Sequence, residues 1–210
     1  MQERFLVINT EWPEESRPVQ AATLVNFQIL LELARRPGVE VGYLKVFSNG
    51  KAAPMDDIQK EAKAKLEAAG ISYLEPFELP PLPHIRSRFF RLFFPKLVDF
   101  YPVTAHRKVA YAAAQVFDPT SIMIQWCEGE THLYSEFPSK KFAYYGNSDA
   151  FIERIWSQYM SQFGESIRNK ITRNLRLRRL EKFHLLEMNK WDFISCVGLN
   201  FAKYYHRFTT

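Results

Sequence analysis

The sequence predicts an α/β domain with a Rossmann-like, doubly wound and mainly parallel sheet flanked by helices. Three observations carry this prediction. Short apolar runs rich in β-branched residues alternate along the chain with segments of helical periodicity. Proline and glycine punctuate the joints between them. The first three elements read strand, helix, strand, a βαβ unit that implies parallel strands joined by a right-handed crossover. With 210 residues the chain can bury one sizeable core but is short for two, so residues 1–210 are read as one domain.

The elements follow in order. Residues 4–10 (RFLVINT) form an apolar run that suits a buried strand, and 11–18 form a loop with two prolines. Over 19–36, Ala22, Val25, Leu30, Leu33 and Ala34 recur at helical spacing, and Pro37-Gly38 stops the helix. Residues 39–47 (VEVGYLKVF) are the second strand. Residues 54–69 are a helix of Ala, Lys and Glu, opened by a proline and ended by Gly70. A short third strand covers 71–74, and the four prolines of 75–83 mark a loop or linker. Residues 86–115 read as helical, interrupted near Pro95 and Pro102, each of which removes a backbone donor. Residues 121–127 (SIMIQWC) and 141–145 (KFAYY) are the fourth and fifth strands. A long basic helix over 167–190 leads to the sixth strand at 192–197 and to final helical turns at 200–207.

Composition narrows the function classes. Hydrophobic residues make up 47% and charged residues 24%, which excludes a disordered chain. The two cysteines, Cys127 and Cys196, fit neither a disulfide framework nor a zinc pattern. The first residues run into acids without an apolar leader, and no apolar run is long enough to cross a bilayer. The expectation is a cytoplasmic protein, or one peripheral on the inner face of the cell membrane. The net charge of +5 gathers around residues 86–108 and 168–190. Such localised charge suits an anionic partner or a solvated basic face. P-loop, GxGxxG, GxSxG and HExxH motifs are absent, so kinase, dinucleotide-dehydrogenase and hydrolase readings lack support. None of the five histidines pairs with another at ligand spacing, and neither metal nor cofactor is expected.

The order of several segments resembles the N-terminal, acceptor-side domain of GT-B glycosyltransferases, in particular glycosyltransferase family 4. RFLVINT with the helix and strand LVNFQILLELARRPGVEVGYL is similar to that family's opening. FDPTSIMIQWCEGE and SKKFAYYGNSDA look like its central strands and loops, and RRLEKFHLLEMNKWDFISCVGLNFAKYY resembles its closing helix and strand. The resemblance implies a retaining transferase in which a second, C-terminal domain, absent from this chain, binds a nucleotide-sugar donor through a Glu-x7-Glu motif. Glu3/Glu11 and Glu32/Glu40 have that spacing but span a strand or a turn, so they are read as chance. The implied acceptor is a glycan or a lipid-linked sugar, and the chain alone is expected to be inactive. Departures are specific: the first loop, EWPEESRPVQAA, lacks the family's paired glycines, and Trp126-Cys127-Glu128 stands where a histidine is usual.

In a doubly wound sheet, ligands gather at the carboxyl ends of the strands. Glu128 and Asp149 follow such ends and are the candidate catalytic carboxylates, able to orient an acceptor hydroxyl and accept its proton. Each equally suits a helix N-terminus, where acids meet the dipole or cap the first turn. Glu11, Trp12, Trp126 and Asn147 are the candidate substrate-binding residues. Either tryptophan could stack on a sugar or simply pack beneath the sheet edge.

The segment HIRSRFFRLFFPKLVDFY interleaves Arg86, Arg88, Arg91 and Lys96 with Phe89, Phe90, Phe93 and Phe94. Cations meeting headgroups and aromatics entering the interface suit an anionic membrane surface; an ordinary amphipathic helix is the alternative. No helix-turn-helix, zinc finger or RNA-binding signature supports nucleic acid as the partner of the basic helix. A non-catalytic carbohydrate- or nucleotide-binding module and a peripheral membrane protein remain the rival readings.

Overall fold

A computed structural model of the chain describes residues 2–15, 21–47, 54–79, 104–126, 130–145, 149–196 and 198–207. In chain order these form β1 (Glu3–Asn9), α1 (Ala21–Ala34), β2 (Val39–Phe47), α2 (Asp57–Ala68), β3 (Ser72–Tyr73), β4 (Phe77–Glu78) and α3 (Thr104–Gln115). There follow β5 (Ser121–Gln125), α4 (Thr131–Tyr134), β6 (Lys140–Tyr145), α5 (Asp149–Ser161), α6 (Ile167–Met188), β7 (Phe193–Cys196) and α7 (Leu199–Tyr205).

The seven strands make one sheet in the order β3-β2-β1-β5-β6-β7, with β4 also on β2. Every ladder is parallel. β3 pairs with β2 at Gly42 and Tyr43, and β4 pairs further along it at Val46 and Phe47. Counted as one interrupted strand, β3 and β4 give the order 3-2-1-4-5-6 of doubly wound nucleotide-binding sheets, whose winding reverses between the first strand and its second neighbour. Here that switch point lies between β1 and β5.

Strand alternation sends side chains to two cores. On one face Leu6, Ile8, Leu44, Ile122 and Ile124 meet Ala110 and Ala114 of α3 and Leu180 and Met188 of α6. The small alanines let α3 approach the sheet closely. On the other face Phe5, Val7, Val41 and Tyr43 meet Phe27 and Leu30 of α1 and Ala62 and Leu66 of α2. Each large side chain so buried contributes about 1.5–3 kcal/mol. Gly42 makes room within β2: a Cβ there would lie 2.9 Å from the Phe117 ring and 3.1 Å from Leu6.

Local chemistry sets the ends of the elements. Asp56 and Gln59 form a reciprocal capping box on α2, at 3.0 and 3.1 Å. Ser166 caps α6 by accepting from the Asn169 amide at 3.3 Å. Gly38 turns the chain from α1 into β2 at φ +78°, a conformation that side chains disfavour. Two elements depart from expectation. The proline-rich stretch 75–83 contains β4, because a two-residue strand needs only one free edge of β2. Residues 149–161, expected only to begin a helix at Asp149, form the whole of α5. The basic aromatic segment with Arg86, Arg88, Phe89, Phe90, Arg91, Phe93, Phe94 and Lys96 lies outside the described residues; of the helix expected over 86–115, the described part is α3.

Candidate functional site

The carboxyl edge of the sheet changes character over one residue. One row back, Leu44, Ile8, Ile124, Ala143 and Ile194 are aligned across β2, β1, β5, β6 and β7, all apolar, the first four in the larger core and Ile194 packed against it. At the next position the aligned residues are Lys45, Asn9, Gln125, Tyr144 and Ser195. Asn9 and Gln125 each follow the pair Ile8↔Ile124. Alternation turns this polar row to the opposite face, the one that carries α1 and α2. Five polar residues side by side at a switch point are not what core packing alone selects.

Polar groups withdrawn from water need partners. Asn9, Lys45 and Gln125 are all buried. The Asn9 Oδ1 accepts from the Glu11 amide at 3.0 Å and so shapes the loop leaving β1. The Lys45 ammonium donates to the Thr10 carbonyl at 2.5 Å and lies 4.9 Å from the ring centroids of both Trp12 and Phe47. Burial pulls the Lys45 pKa below the usual lysine range, and the Glu11 carboxylate partly opposes that pull. The Gln125 amide donates to the Met123 sulfur at 3.2 Å.

Helix α1 adds a further polar group. Its first turns lie by the β1 loop, because the Thr23 carbonyl accepts from the Glu14 amide at 3.4 Å. One turn on, Asn26 is fully buried, and neither its Oδ1 nor its Nδ2 has a partner among the described residues. A buried amide with neither end satisfied is costly in a native fold and invites a ligand or water.

The expected site residues fall into three groups. Glu11 and Trp126 each follow the tip of one of the paired strands β1 and β5. Glu11 is exposed, and its carbonyl accepts from the Tyr43 hydroxyl. Trp126 holds a left-handed backbone at φ +58°, unusual for so large a residue. Its amide still donates to the Tyr144 carbonyl at 2.9 Å. Its ring meets the Tyr144 ring edge-on at 5.6 Å, and its buried Nε1 has no partner among the described residues. Such local strain persists only where surroundings enforce it, and it concentrates at functional sites.

Trp12 behaves differently from the platform that stacking would require. It is buried among Tyr43, Phe47 and Tyr73, at centroid distances of 6.2, 6.3 and 6.4 Å. It therefore anchors the loop from below, the packing alternative of the two. In the third group, Glu128 and Asn147 lie outside the described residues. Asp149 opens α5, after the tip of β6.

Neither a protein-family model nor a curated protein matches this chain. The residues must therefore speak for themselves. The sequence did hold a signal for the polar row: RFLVIN, VEVGYLK and SIMIQ each end an apolar run on a polar side chain. Chemically, the edge offers amides, a hydroxyl, a carboxylate and a partly desolvated amine. That set hydrogen-bonds a polyol from several directions and can neutralise one anionic group.

Proposed function

We propose that this chain is the acceptor-side domain of a GT-B glycosyltransferase, which moves a sugar from a nucleotide donor to an acceptor hydroxyl. A second Rossmann-like lobe would hold the donor, and the carboxyl edge described above would hold the acceptor, a glycan or a lipid-linked sugar. The observation that carries this reading is the row Lys45, Asn9, Gln125 and Tyr144 at the switch point of a sheet in 3-2-1-4-5-6 order. Around it, Glu11 and Trp126 face the ligand, Lys45 and Asn9 hold the β1 loop in place, and Asn26 offers an unused donor and acceptor. Glu128 and Asp149 are the proposed acceptor-orienting carboxylates, one of them taking the hydroxyl proton. The order of the sequence segments supports the same reading.

The test is titration of the isotope-labelled chain with a panel of octyl glycosides below their micelle concentrations, read by amide and indole N–H chemical shifts. Expected is a selective shift of the Trp126 indole and of the Glu11 and Asn26 resonances, lost in Trp126→Ala. Shifts confined to other surfaces, or none with any glycoside, would remove the acceptor site. Sugar binding by the full-length protein without transfer from any nucleotide sugar would instead favour a non-catalytic carbohydrate-binding module.

A further inference from the structure

The hairpin of α5 and α6 presents a face that the sugar-transfer reading does not use. On α5, Ile152, Ile155, Trp156 and Tyr159 recur at intervals of three and four residues and so share one side. They are 44–54% exposed. Phe163, in the turn after α5, is 65% exposed and extends the stripe. Trp156 stacks on Tyr159 at 5.5 Å, and Tyr159 meets Phe163 at 4.7 Å. Beyond the turn, Ile167 and Ile171 of α6 are 79% and 55% exposed. The hairpin's other side faces the sheet, where Leu180 enters the core and Phe151 packs against it. Single exposed apolar residues are ordinary, but a contiguous aromatic stripe marks a contact surface.

Charge identifies the partner. Helix α6 contains seven lysines and arginines against two glutamates. The acids of the hairpin whose side chains are described are already engaged: Glu165 pairs with Arg173, Glu181 with Arg154, and Glu187 with Lys190. Arg168, Lys170, Arg178 and Lys182 are exposed and pair with no described acid. Spacing places Ile167, Lys170, Ile171, Asn174 and Arg178 on one side of α6, mixing apolar and cationic side chains. No described helix is long and apolar enough to cross a membrane.

We propose that this face of the hairpin lies on an anionic bilayer surface. Trp156, Tyr159, Phe163 and the isoleucines enter the boundary between headgroups and acyl chains, and Arg168, Lys170 and Arg178 meet the headgroups. A second copy of the chain is the weaker occupant, because a two-fold contact would press this basic face against itself. The inference stands whether or not the domain handles sugars.

The experiment uses the full chain with vesicles of phosphatidylcholine alone and of phosphatidylcholine with phosphatidylglycerol. Binding is read by co-sedimentation and by tryptophan emission. Expected is binding to the anionic vesicles with a blue shift that Trp156→Phe abolishes and Trp126→Phe leaves in place, Trp12 and Trp191 being already buried. The double variants Trp156→Ala/Phe163→Ala and Arg168→Glu/Lys170→Glu should each weaken binding about tenfold or more. These side chains are exposed, so unchanged circular dichroism separates lost binding from lost folding. Three results overturn the proposal: no vesicle binding, equal binding to neutral vesicles, or binding abolished by Arg86→Glu/Arg88→Glu/Arg91→Glu and untouched by the hairpin variants. Concentration-dependent dimers that Trp156→Ala dissolves, without vesicle binding, would assign the face to a second copy.

Discussion

Lys45 is where local chemistry and stability meet. Burial lowers its folded pKa below the ordinary 10.5. Between those two values the unfolded chain holds more protons than the folded one, so this residue makes stability rise with pH up to about 10.5. Tyr73 works in the opposite sense, because burial holds its phenol above 10.0 and its contribution falls at higher pH. Subtracting the unfolding free energies of Lys45→Met from those of the wild type isolates the lysine, and the difference should move toward the wild type between pH 7 and 10. A flat difference would mean that the amine is not desolvated. Glu11→Gln should steepen the trend, because the glutamate is what raises the lysine pKa. At Trp126 two effects oppose one another. Trp126→Gly relieves a left-handed backbone at a gain of about 1–2 kcal/mol, but it loses the edge-on contact with Tyr144, about 0.5–1.5 kcal/mol, and in addition the apolar area that the half-buried indole covers. Urea unfolding should therefore show a net loss, smaller than a fully buried tryptophan would give, while glycoside binding disappears.

At the scale of elements, substitutions that oppose local geometry should be costly. Gly42→Ala pushes a methyl into the Phe117 ring, and overpacking of this kind costs about 1–3 kcal/mol in urea unfolding. Phe117→Leu should recover part of that loss in the double variant, and an additive result would show that the clash is not the cause. Asp56→Ala removes the α2 capping box and should cost about 1 kcal/mol. Elements were legible in the sequence where one physical signal dominated. β2 spans the same residues, Val39–Phe47, in sequence and structure, because a β-rich run lies between a Pro-Gly turn and the polar segment after Phe47. β4 was hidden because prolines around it outweigh a two-residue pairing. In α5 the helical period was present in Ile152, Ile155, Trp156 and Tyr159, but periodicity does not say which way a stripe faces, and this one faces outward.

Across the whole molecule, the fold class follows from alternating strand and helix signals, whereas the site depends on register. Asn9, Lys45 and Gln125 look unremarkable one by one, each a polar residue near the end of a strand. Only alignment of the ladders sets them in a single row. Burial follows the same alignment. Leu6, Val7, Ile122 and Ile124 sit on strands paired on both sides and are buried, so their amides should exchange with deuterium most slowly. Those of β7, paired with β6 alone in the described sheet, should exchange sooner; equal protection of β7 would mean that its outer edge is covered in solution.

The Arg4 amide finds its acceptor on Thr120, a separation of 116 positions. On a ribosome adding about 5–20 residues each second, the opening strand therefore waits on the order of ten seconds for its second neighbour to be made. During that interval one flank of its ladder offers unpaired amides and carbonyls beside apolar faces, and that interval is when the nascent chain most needs a chaperone.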